Sequence, residues 1–503
     1  MQLLWIKKNC RIHDHRALYE ISLQHDDVMA FFCYEHSIMT QPDYSRAHRL
    51  FHAQCVLWLK KDLLKYNIRL WVYDREVIDM LNIFHQSQPI THIYSHEETW
   101  NHATYMRDLA VIQRCKNNNV CYTEYPTNGV VRALKDRDDY DGIWRERMSI
   151  PLVPDPVPQW WLFVPKDPWI QDPIMPEYLT WPIHIQQWWE SYALGMLDSF
   201  VQRRSTHYLQ SLANPHTSVR YNSRLSAYIT YGNLSIKQIY TQLTAQKTIL
   251  HAQLTDPSVS KIAVSHIRNI TACISRLHRH DHFIQKFESW PRMEFEEQNA
   301  WLGDLRTNDD HIRSKIESGN TWFLFIDASI RAVKDTGRLN FRARACLVSF
   351  VCNTLLQDRR RPAHRLAQQF TDYEPWIHYS QFQMQAAVTG INTVRMYNPL
   401  KQLADHDKHY IFVRHWIPEV RSLSDTEMWS AYLYSTYPEP MVHFESAQAH
   451  AKQILYSAQK RPEAREQAKK VYQKLWSRKK QTQSSKKQTK PRKKLLPQPS
   501  LFD

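Results

Sequence analysis

Short apolar runs alternate with longer amphipathic stretches over roughly the first 125 residues. The runs are rich in β-branched and aromatic side chains, which is typical of buried strands. The intervals between them are long enough for helices, and this alternation favours a parallel sheet with right-handed crossovers. We therefore predict a Rossmann-like α/β domain over residues 1–150, built on a five-stranded parallel sheet. The predicted strands are residues 3–6, 28–34, 68–73, 90–95 and 120–125.

Prolines and tryptophans crowd the next stretch, 151–183, which we interpret as an interdomain connector because proline interrupts helices and central strands. Helical patterns dominate the stretch 184–442, and Ser424 to Glu427 fits a capping box that opens a helix. An all-α domain is predicted there. A C-terminal helix over 443–477 and a disordered basic tail over 478–503 are predicted to follow.

Composition excludes several classes of protein. With 43% hydrophobic residues in 503, the chain can bury the cores of two domains. Only 8 glycines occur and no GxGxxG or GxxxxGK motif is present, which argues against a glycine-rich phosphate loop. The 8 cysteines form no CxxC pair and no secretory signal opens the chain, so a cytoplasmic protein is expected. No apolar run reaches the roughly 18 residues of a membrane span.

The charge distribution favours a polyanionic partner. The net charge is +15, and nine basic residues with no acidic one lie between Arg478 and Lys494. Because lysine and arginine neutralise phosphates and release counterions, a basic body with a basic tail predicts DNA binding. The alternative is a solubilising tail on an ordinary enzyme.

Several motifs resemble those of the cryptochrome/DNA photolyase family. The N-terminal strand with Trp5 leads into a basic segment and the pair His13-Asp14, and Ser223-Arg224-Leu225-Ser226 is similar to the family's flavin-diphosphate segment. The segment 232–235 follows it, as in the family. The blocks occur in the family's order up to about residue 442, so the chain is identified as a divergent bacterial member. The later blocks are residues 326–328, 336–344, 386–390, 397–399 and 412–419.

The resemblance implies an FAD-binding helical domain. Hydroxyls, backbone N–H groups and one guanidinium in the Ser-Arg-Leu-Ser segment suit a diphosphate, although such a segment could also be an ordinary helix cap with a surface arginine. The resemblance also implies an antenna chromophore of unknown identity. It gives no reason to expect an iron–sulfur cluster, because no cysteine follows Cys352. The implied cofactor-binding residues are Tyr208, Asn222, Ser223, Arg224, Leu225, Ser226, Arg344, Asp372, Tyr373 and Glu374.

The implied DNA-binding residues are Arg276, Arg279, His280, Arg342 and Gln402. Arg276 and Arg279 stand near positions where a pyrimidine-dimer photolyase carries a glutamate and a tryptophan, and arginine favours phosphate contacts instead. The histidine-rich run 278–282 spreads its side chains around a helix, so no metal site is predicted.

Photolyases usually reduce their flavin through three tryptophans, and aligning the blocks without gaps places Gln383, Arg359 and Ile316 at these positions. The usual route is therefore expected to be absent. Tyr379 is the nearest candidate for the asparagine that faces the reactive flavin nitrogen, which makes it the candidate catalytic residue. Four aromatic side chains offer either a different electron route or ordinary core packing: Trp322, Tyr373, Trp376 and Tyr379.

Three functions are compatible with these residues. The first is a DNA lyase in which light-excited reduced FAD repairs pyrimidine photoproducts. The second is a cryptochrome-like light sensor, and the third is a DNA-associated scaffold, because a fold does not fix a function.

The last residues contain a candidate partner motif. Gln498, Leu501 and Phe502 resemble the peptide by which repair proteins dock on the bacterial sliding clamp. Leu501 and Phe502 could instead pack against the helical domain.

Overall fold

The computed structural model describes residues 1–24, 27–158, 186–256 and 260–475. Its N-terminal part contains a five-stranded parallel sheet with the strand order β3-β2-β1-β4-β5, and it confirms the predicted fold class. All five predicted runs form strands, with ends that differ by up to two residues. The strands are β1 (Gln2–Ile6), β2 (Val28–Cys33), β3 (Leu70–Tyr73), β4 (His92–His96) and β5 (Cys121–Tyr125).

Helices separate the strands, and the order of the sheet reverses between β1 and β4. The chain passes from β1 to β2 and β3 on one side and then returns to β4 and β5 on the other. The loops after β1 and β4 therefore diverge at the carboxyl edge of the sheet, which is where open α/β sheets commonly bind ligands. The helices are α1 (Arg16–Ser22), α2 (His36–Met39), α3 (Arg46–Leu63), α4 (Val77–Ser87), α5 (His102–Asn117) and α6 (Tyr140–Ser149).

The second part of the chain is helical, as predicted. Its longest helix, α12, has 30 residues. The helices are α7 (Glu190–Gln202), α8 (Tyr208–Ser211), α9 (Pro215–Tyr221), α10 (Ser226–Thr230), α11 (Ile236–Ala252), α12 (Ser260–Ser289), α13 (Asp310–Ser318), α14 (Leu324–Thr336), α15 (Phe341–Ser349), α16 (Arg360–Gln369), α17 (Pro375–Gln385), α18 (Pro399–His406), α19 (Ile411–Trp416), α20 (Ala431–Tyr434), α21 (Phe444–Lys460) and α22 (Pro462–Leu475).

The two faces of the sheet are buried against different partners. Leu3 and Trp5 of β1 pack with α4 and α5 in a core that stays within the N-terminal domain. Leu4 and Ile6 point to the other face and pack with α1 and α3, in a core that continues to Tyr228 and beyond in the helical domain. Successive side chains of β1 point to opposite faces of the sheet, and those on one face belong to a core that both domains share.

The segment 232–235 ties the helical domain to the loop after β1. Gly232 has a φ of +72°, and a Cβ atom there would lie 2.1 Å from the backbone oxygen of Lys8. The Asn233 amide donates to the Cys10 oxygen at 3.1 Å, and the Ser235 hydroxyl donates to Asp14 at 2.6 Å. This block of the family pattern therefore fixes the domain interface.

Two local expectations need correction. Ser424 and Glu427 exchange the hydrogen bonds of a capping box, but they precede only a 3₁₀ turn (Glu427–Ser430) and the four-residue α20 instead of a full helix. The C-terminal stretch forms α21 and α22 instead of one helix, because Pro462 cannot continue α21.

Some predictions fall beyond the described ranges. Most of the connector, residues 159–185, and the tail from residue 476 onward lie outside the described residues. No helix in the described ranges is both long enough and apolar enough to cross a membrane.

Candidate functional site

A large cavity lies in the helical domain, between α9, the segment 222–226, the α14–α15 connection and α19. Its volume of about 920 Å³ is of the size that protein cofactor sites have, roughly 300–1,000 Å³. The predicted cofactor residues that line it are Tyr208, Asn222, Ser223, Arg224, Ser226, Arg344 and Asp372. The structure thus brings most of the predicted set to one place.

The segment after α9 lines this cavity and is held by hydrogen bonds to its backbone oxygens. Arg224 has a φ of +60°, an uncommon left-handed conformation for a residue other than glycine. Its backbone oxygen accepts a hydrogen bond from the Gln186 amide at 2.8 Å, and the Ser223 oxygen accepts one from Arg204 at 3.2 Å. Leu225 is 2% exposed and belongs to the shared core, so it anchors the segment to that core instead of facing the cavity.

Arg204, Arg224 and Arg338 lie close together around this segment, and Asp372 offsets the charge of Arg338 only in part. Burial and the neighbouring Arg224 guanidinium lower the pKa of Arg204 to about 10 and that of Arg338 to about 10. The Nε atoms of Arg224 and Arg338 are buried and have no hydrogen-bond partner among the described residues. Buried cations of one sign with unused donors require an anion, and a diphosphate satisfies both the charge and the donors. The residues present therefore fit the diphosphate of FAD.

The positions of Arg204 and Arg338 were not anticipated from the sequence. They lie in segments far from the Ser-Arg-Leu-Ser motif, and a lone arginine in a helical stretch carries no local signal. Arg338 does lie within the block 336–344 that resembles the family, which is the one signal that could have indicated it.

An ion pair forms another part of the wall. Arg344 donates from one nitrogen to both oxygens of Asp372, at 2.8 and 3.0 Å, and its guanidinium lies 3.9 Å from the centre of the Phe370 ring. The Arg344 Nε also donates to the Leu339 oxygen at 2.8 Å. These contacts hold the Asp372 carboxylate at the cavity, where it can accept a hydrogen bond from a ligand hydroxyl.

Tyr373 and Glu374 do not line this cavity. Tyr373 is 1% exposed and its hydroxyl donates to Asp43 of the N-terminal domain. Glu374 faces a second cavity between the domains and lies 2.9 Å from the Nε2 atom of His280. Burial lowers the pKa of His280, but Glu374 and Asp281 outweigh it and raise the value to about 10. His280 therefore works as a buried cation between two carboxylates.

The second cavity lies at the carboxyl edge of the sheet, after β1 and β4, where the strand order reverses. Its volume is only about 50 Å³, and Lys8 and Trp100 are among the residues that line it. Burial lowers the pKa of Lys8 to about 7 even though Glu98 and Glu374 oppose the shift. As these residues stand, the cavity does not fit an antenna chromophore.

The predicted DNA-binding residues occupy different environments. The Arg276 guanidinium lies 5.3 Å from the centre of the Tyr208 ring, at the edge of the large cavity, and Arg279 is exposed on the same helix. Arg342 lies 5.6 Å from the Tyr397 ring. Gln402 is 7% exposed, so its side chain cannot contact DNA unless the residues around it rearrange. No group of three metal-binding side chains occurs in the ranges that the structure describes.

The three positions expected to lack tryptophan are packed by other side chains. The Gln383 amide is fully buried and donates to the oxygens of Met293 and Glu296, at 3.1 and 2.7 Å. Arg359 is 1% exposed, and Ile316 is 8% exposed. Of the alternative aromatic side chains, Trp376 stacks on Phe287 with ring centres 5.1 Å apart.

Comparisons with known proteins agree with this geometry. The family model for DNA photolyase matches residues 2–137, and the model for the FAD binding domain of DNA photolyase matches residues 273–487. The chain is 26% identical to the deoxyribodipyrimidine photo-lyase of Escherichia coli over 51% of the chain and 54% of that protein. It is 20% identical to the enzyme of the same name from Buchnera aphidicola over 88% of the chain and 94% of that protein.

A solved structure extends the likeness to the whole described fold. The cryptochrome of Synechocystis sp. PCC6803 superposes with a TM-score of 0.76 and 19% identity, covering 90% of this chain and 99% of that one. The chain spans about half the length of the Escherichia coli relative that it matches, and nearly all of the Buchnera one. With both family models matched in order and the flavin-binding domain among them, the chain belongs to the cryptochrome/photolyase family.

Proposed function

We propose that this protein binds FAD in the large cavity and repairs pyrimidine photoproducts in DNA by light-driven electron transfer. The observation that supports it best is the pair Arg224 and Arg338, which line the cavity of about 920 Å³ and whose buried Nε atoms have no hydrogen-bond partner among the described residues. When bound, FAD supplies light absorption and a single transferable electron.

The chain's own residues would position both partners. Ser223, Arg224 and Ser226, together with Arg338, would hold the diphosphate through charge-assisted hydrogen bonds. Arg204, whose guanidinium donates to the Asn222 and Ser223 backbone oxygens, would hold this segment in place. Asp372, fixed by Arg344, would accept from a hydroxyl of the cofactor. Arg342 and the arginines of α12 would hold the DNA backbone, with Gln402 as a further contact, while the lesion is flipped toward the cavity. His280 would support α12 through Glu374 without touching phosphate.

The test is a combined measurement of flavin binding and repair. We expect the purified protein to carry FAD or to take it up, and to split pyrimidine dimers in an oligonucleotide only under blue light and reducing conditions. Protein that holds flavin but repairs nothing in the light contradicts the lyase activity. Protein that cannot be loaded with flavin contradicts the cofactor assignment.

A light-sensing or otherwise non-repairing role is the second candidate. It is favoured by Arg276 and Arg279, which stand near the positions of a base-binding glutamate and a lesion-stacking tryptophan, respectively, and put two cations there instead. The two proposals differ in DNA preference, because a sensor with mainly phosphate contacts binds damaged and undamaged duplexes equally. A clear preference for dimer-containing DNA supports repair.

A further inference from the structure

A buried carboxylate and two tyrosines form a hydrogen-bonded chain across the domain interface. Asp43 lies in the loop before α3, Tyr373 precedes α17, and Tyr379 lies within α17. The Tyr373 hydroxyl donates to the Asp43 carboxylate, and Tyr379 is hydrogen-bonded to Tyr373. The three side chains are 2%, 1% and 1% exposed. We call them the Asp43 chain.

The Asp43 chain lies behind the wall of the large cavity, because the Tyr373 side chain faces Asp43 and not the cavity itself. Tyr373 directly follows Asp372, whose carboxylate lines that cavity. Beyond Tyr379, the ring of His364 lies 6.4 Å away, and His364 is partly exposed. The chain therefore connects the cavity wall with the solvent through aromatic rings, in a region where the tryptophans of the family are replaced.

A buried tyrosine can give up an electron readily only when a base takes its proton. Oxidation turns a phenol into a strong acid, and a phenol radical cation is costly in a dry interior because its charge is not solvated. Asp43 already accepts the Tyr373 hydrogen bond, so the proton has a defined destination. Tryptophan needs no such base, which explains why a carboxylate is present beside tyrosine here.

A tryptophan also contacts Tyr373, but it is a poor electron donor in this setting. Trp100 contacts Tyr373 edge-on with ring centres 5.6 Å apart, and the Lys8 amine lies over the face of Trp100. When Lys8 is protonated, as it is below its pKa of about 7, its charge on the face of the indole opposes oxidation of Trp100. Under these conditions the tyrosyl radical on Tyr373 is filled by an electron from Tyr379 instead of Trp100.

We infer that the Asp43 chain replaces the tryptophan route. Tyr373 gives one electron to the photoexcited oxidised flavin and its phenolic proton to Asp43, which leaves a neutral tyrosyl radical and a protonated carboxyl group. Tyr379 passes on one electron from a soluble thiolate, and Asp43 returns the proton to Tyr373 as the thiolate becomes a thiyl radical. This inference rests on the proposed FAD site.

The experiment compares Tyr373→Phe, Tyr379→Phe and Asp43→Asn with the original chain and with Trp376→Phe as a matched control. Trp376 lies on the same helix as Tyr379 and is only 5% exposed, but its ring stacks on Phe287 and it is not a member of the Asp43 chain. Flavin content and far-ultraviolet circular dichroism are measured first on every variant. Photoreduction under blue light with a thiol and the transient absorption of the tyrosyl radical are measured next.

We expect Tyr373→Phe to retain flavin, to lose the tyrosyl signal and to photoreduce at least about tenfold more slowly, which corresponds to about 1.4 kcal/mol in the barrier. Asp43→Asn keeps the hydrogen bond but removes the base, so it should slow photoreduction and abolish the slowing caused by D₂O. Trp376→Phe should match the original chain.

The outcomes separate the two proposals. If the original chain takes up no flavin, the proposed function and this inference both fail. If flavin is held and Tyr373→Phe and Tyr379→Phe photoreduce at the original rate, the proposed function stands and the Asp43 chain is rejected. A rate that falls in Trp376→Phe but not in the tyrosine variants assigns the route to tryptophan and also rejects it.

Discussion

Among single residues, the arginines around the segment 222–226 carry the strongest evidence for a ligand. Changing Arg224 and Ser226 together to alanine removes two groups that face the cavity. Each charge-assisted hydrogen bond contributes about 1.5–3 kcal/mol, so flavin affinity should fall by at least roughly tenfold while the fold is kept. Flavin absorbance after gel filtration measures the effect. The matched control is Arg203→Ala, an exposed neighbour, and flavin undiminished in the double variant would reject the assignment.

His280 gives a prediction about pH. Because Glu374 and Asp281 raise its pKa in the folded state to about 10, its charge stabilises the fold fully below the unfolded value of about 6.5. This contribution is lost as the pH rises through about 10. We expect His280→Gln to lower the free energy of unfolding by about 2 kcal/mol near pH 6 and by much less near pH 10.

Urea unfolding at both pH values measures this difference. His278→Gln is the control on the same helix, because His278 pairs with the exposed Asp141. A loss for His280→Gln that is the same at both pH values would show that the side chain acts through packing alone.

The sequence predicted the cofactor residues unevenly, for a geometric reason. Ser223 and Asp372 were predicted correctly to lie at one site, because the order of the family's motifs along the chain indicates which segments meet at the cavity. Tyr373 and Glu374 directly follow Asp372, yet their side chains point to Asp43 and to the interdomain cavity. Consecutive residues in an irregular segment point in different directions, and no sequence pattern specifies which one meets a ligand.

At the level of elements, strands were predicted more reliably than helix ends. The buried runs of β1 to β5 are rich in β-branched and aromatic residues, and local pattern is sufficient for them. The capping box at Ser424 satisfied its hydrogen bonds, but the residues after it do not maintain a helical apolar face in this packing. Helix length is decided by tertiary contacts that the sequence does not display.

Helix α12 carries a prediction about DNA binding. Arg276 lies beside Tyr208 at the edge of the large cavity and Arg279 is exposed on the same helix, so both are expected to offer guanidinium groups to phosphates. Each lost phosphate contact lowers the slope of log affinity against log salt by about 1, so the double alanine variant should lower it by about 2. Fluorescence anisotropy over a salt series measures the slope. Arg268→Ala, an exposed arginine on the same helix, should change it less, and an affinity insensitive to salt would contradict phosphate contacts.

For the whole molecule, the charge of +15 favours DNA binding, and a partner motif in the last residues would let a protein bind at the same time. Gln498, Leu501 and Phe502 lie outside the described residues, and docking on the sliding clamp stays a prediction from their sequence. A peptide of the last residues should bind the clamp through the glutamine amide and the Leu-Phe pair. Titration against the clamp, with Leu501 and Phe502 both changed to alanine as the control, decides it. Equal binding by both peptides, or none, rejects the proposal.

The core shared by β1 and the helical domain links events that are far apart in the molecule. Leu4 and Tyr228 belong to one apolar cluster, so neither half can open without exposing the surface of the other to water. A ligand at a hundredfold excess over its Kd stabilises the native state by about 2.7 kcal/mol. Amides that do not contact the ligand should share this protection if they become exposed only when both domains open. Hydrogen exchange in β1 should therefore slow by roughly a hundredfold when FAD binds near Arg224. If the exchange rates of the β1 amides are the same with and without FAD, the sheet and the helices open independently.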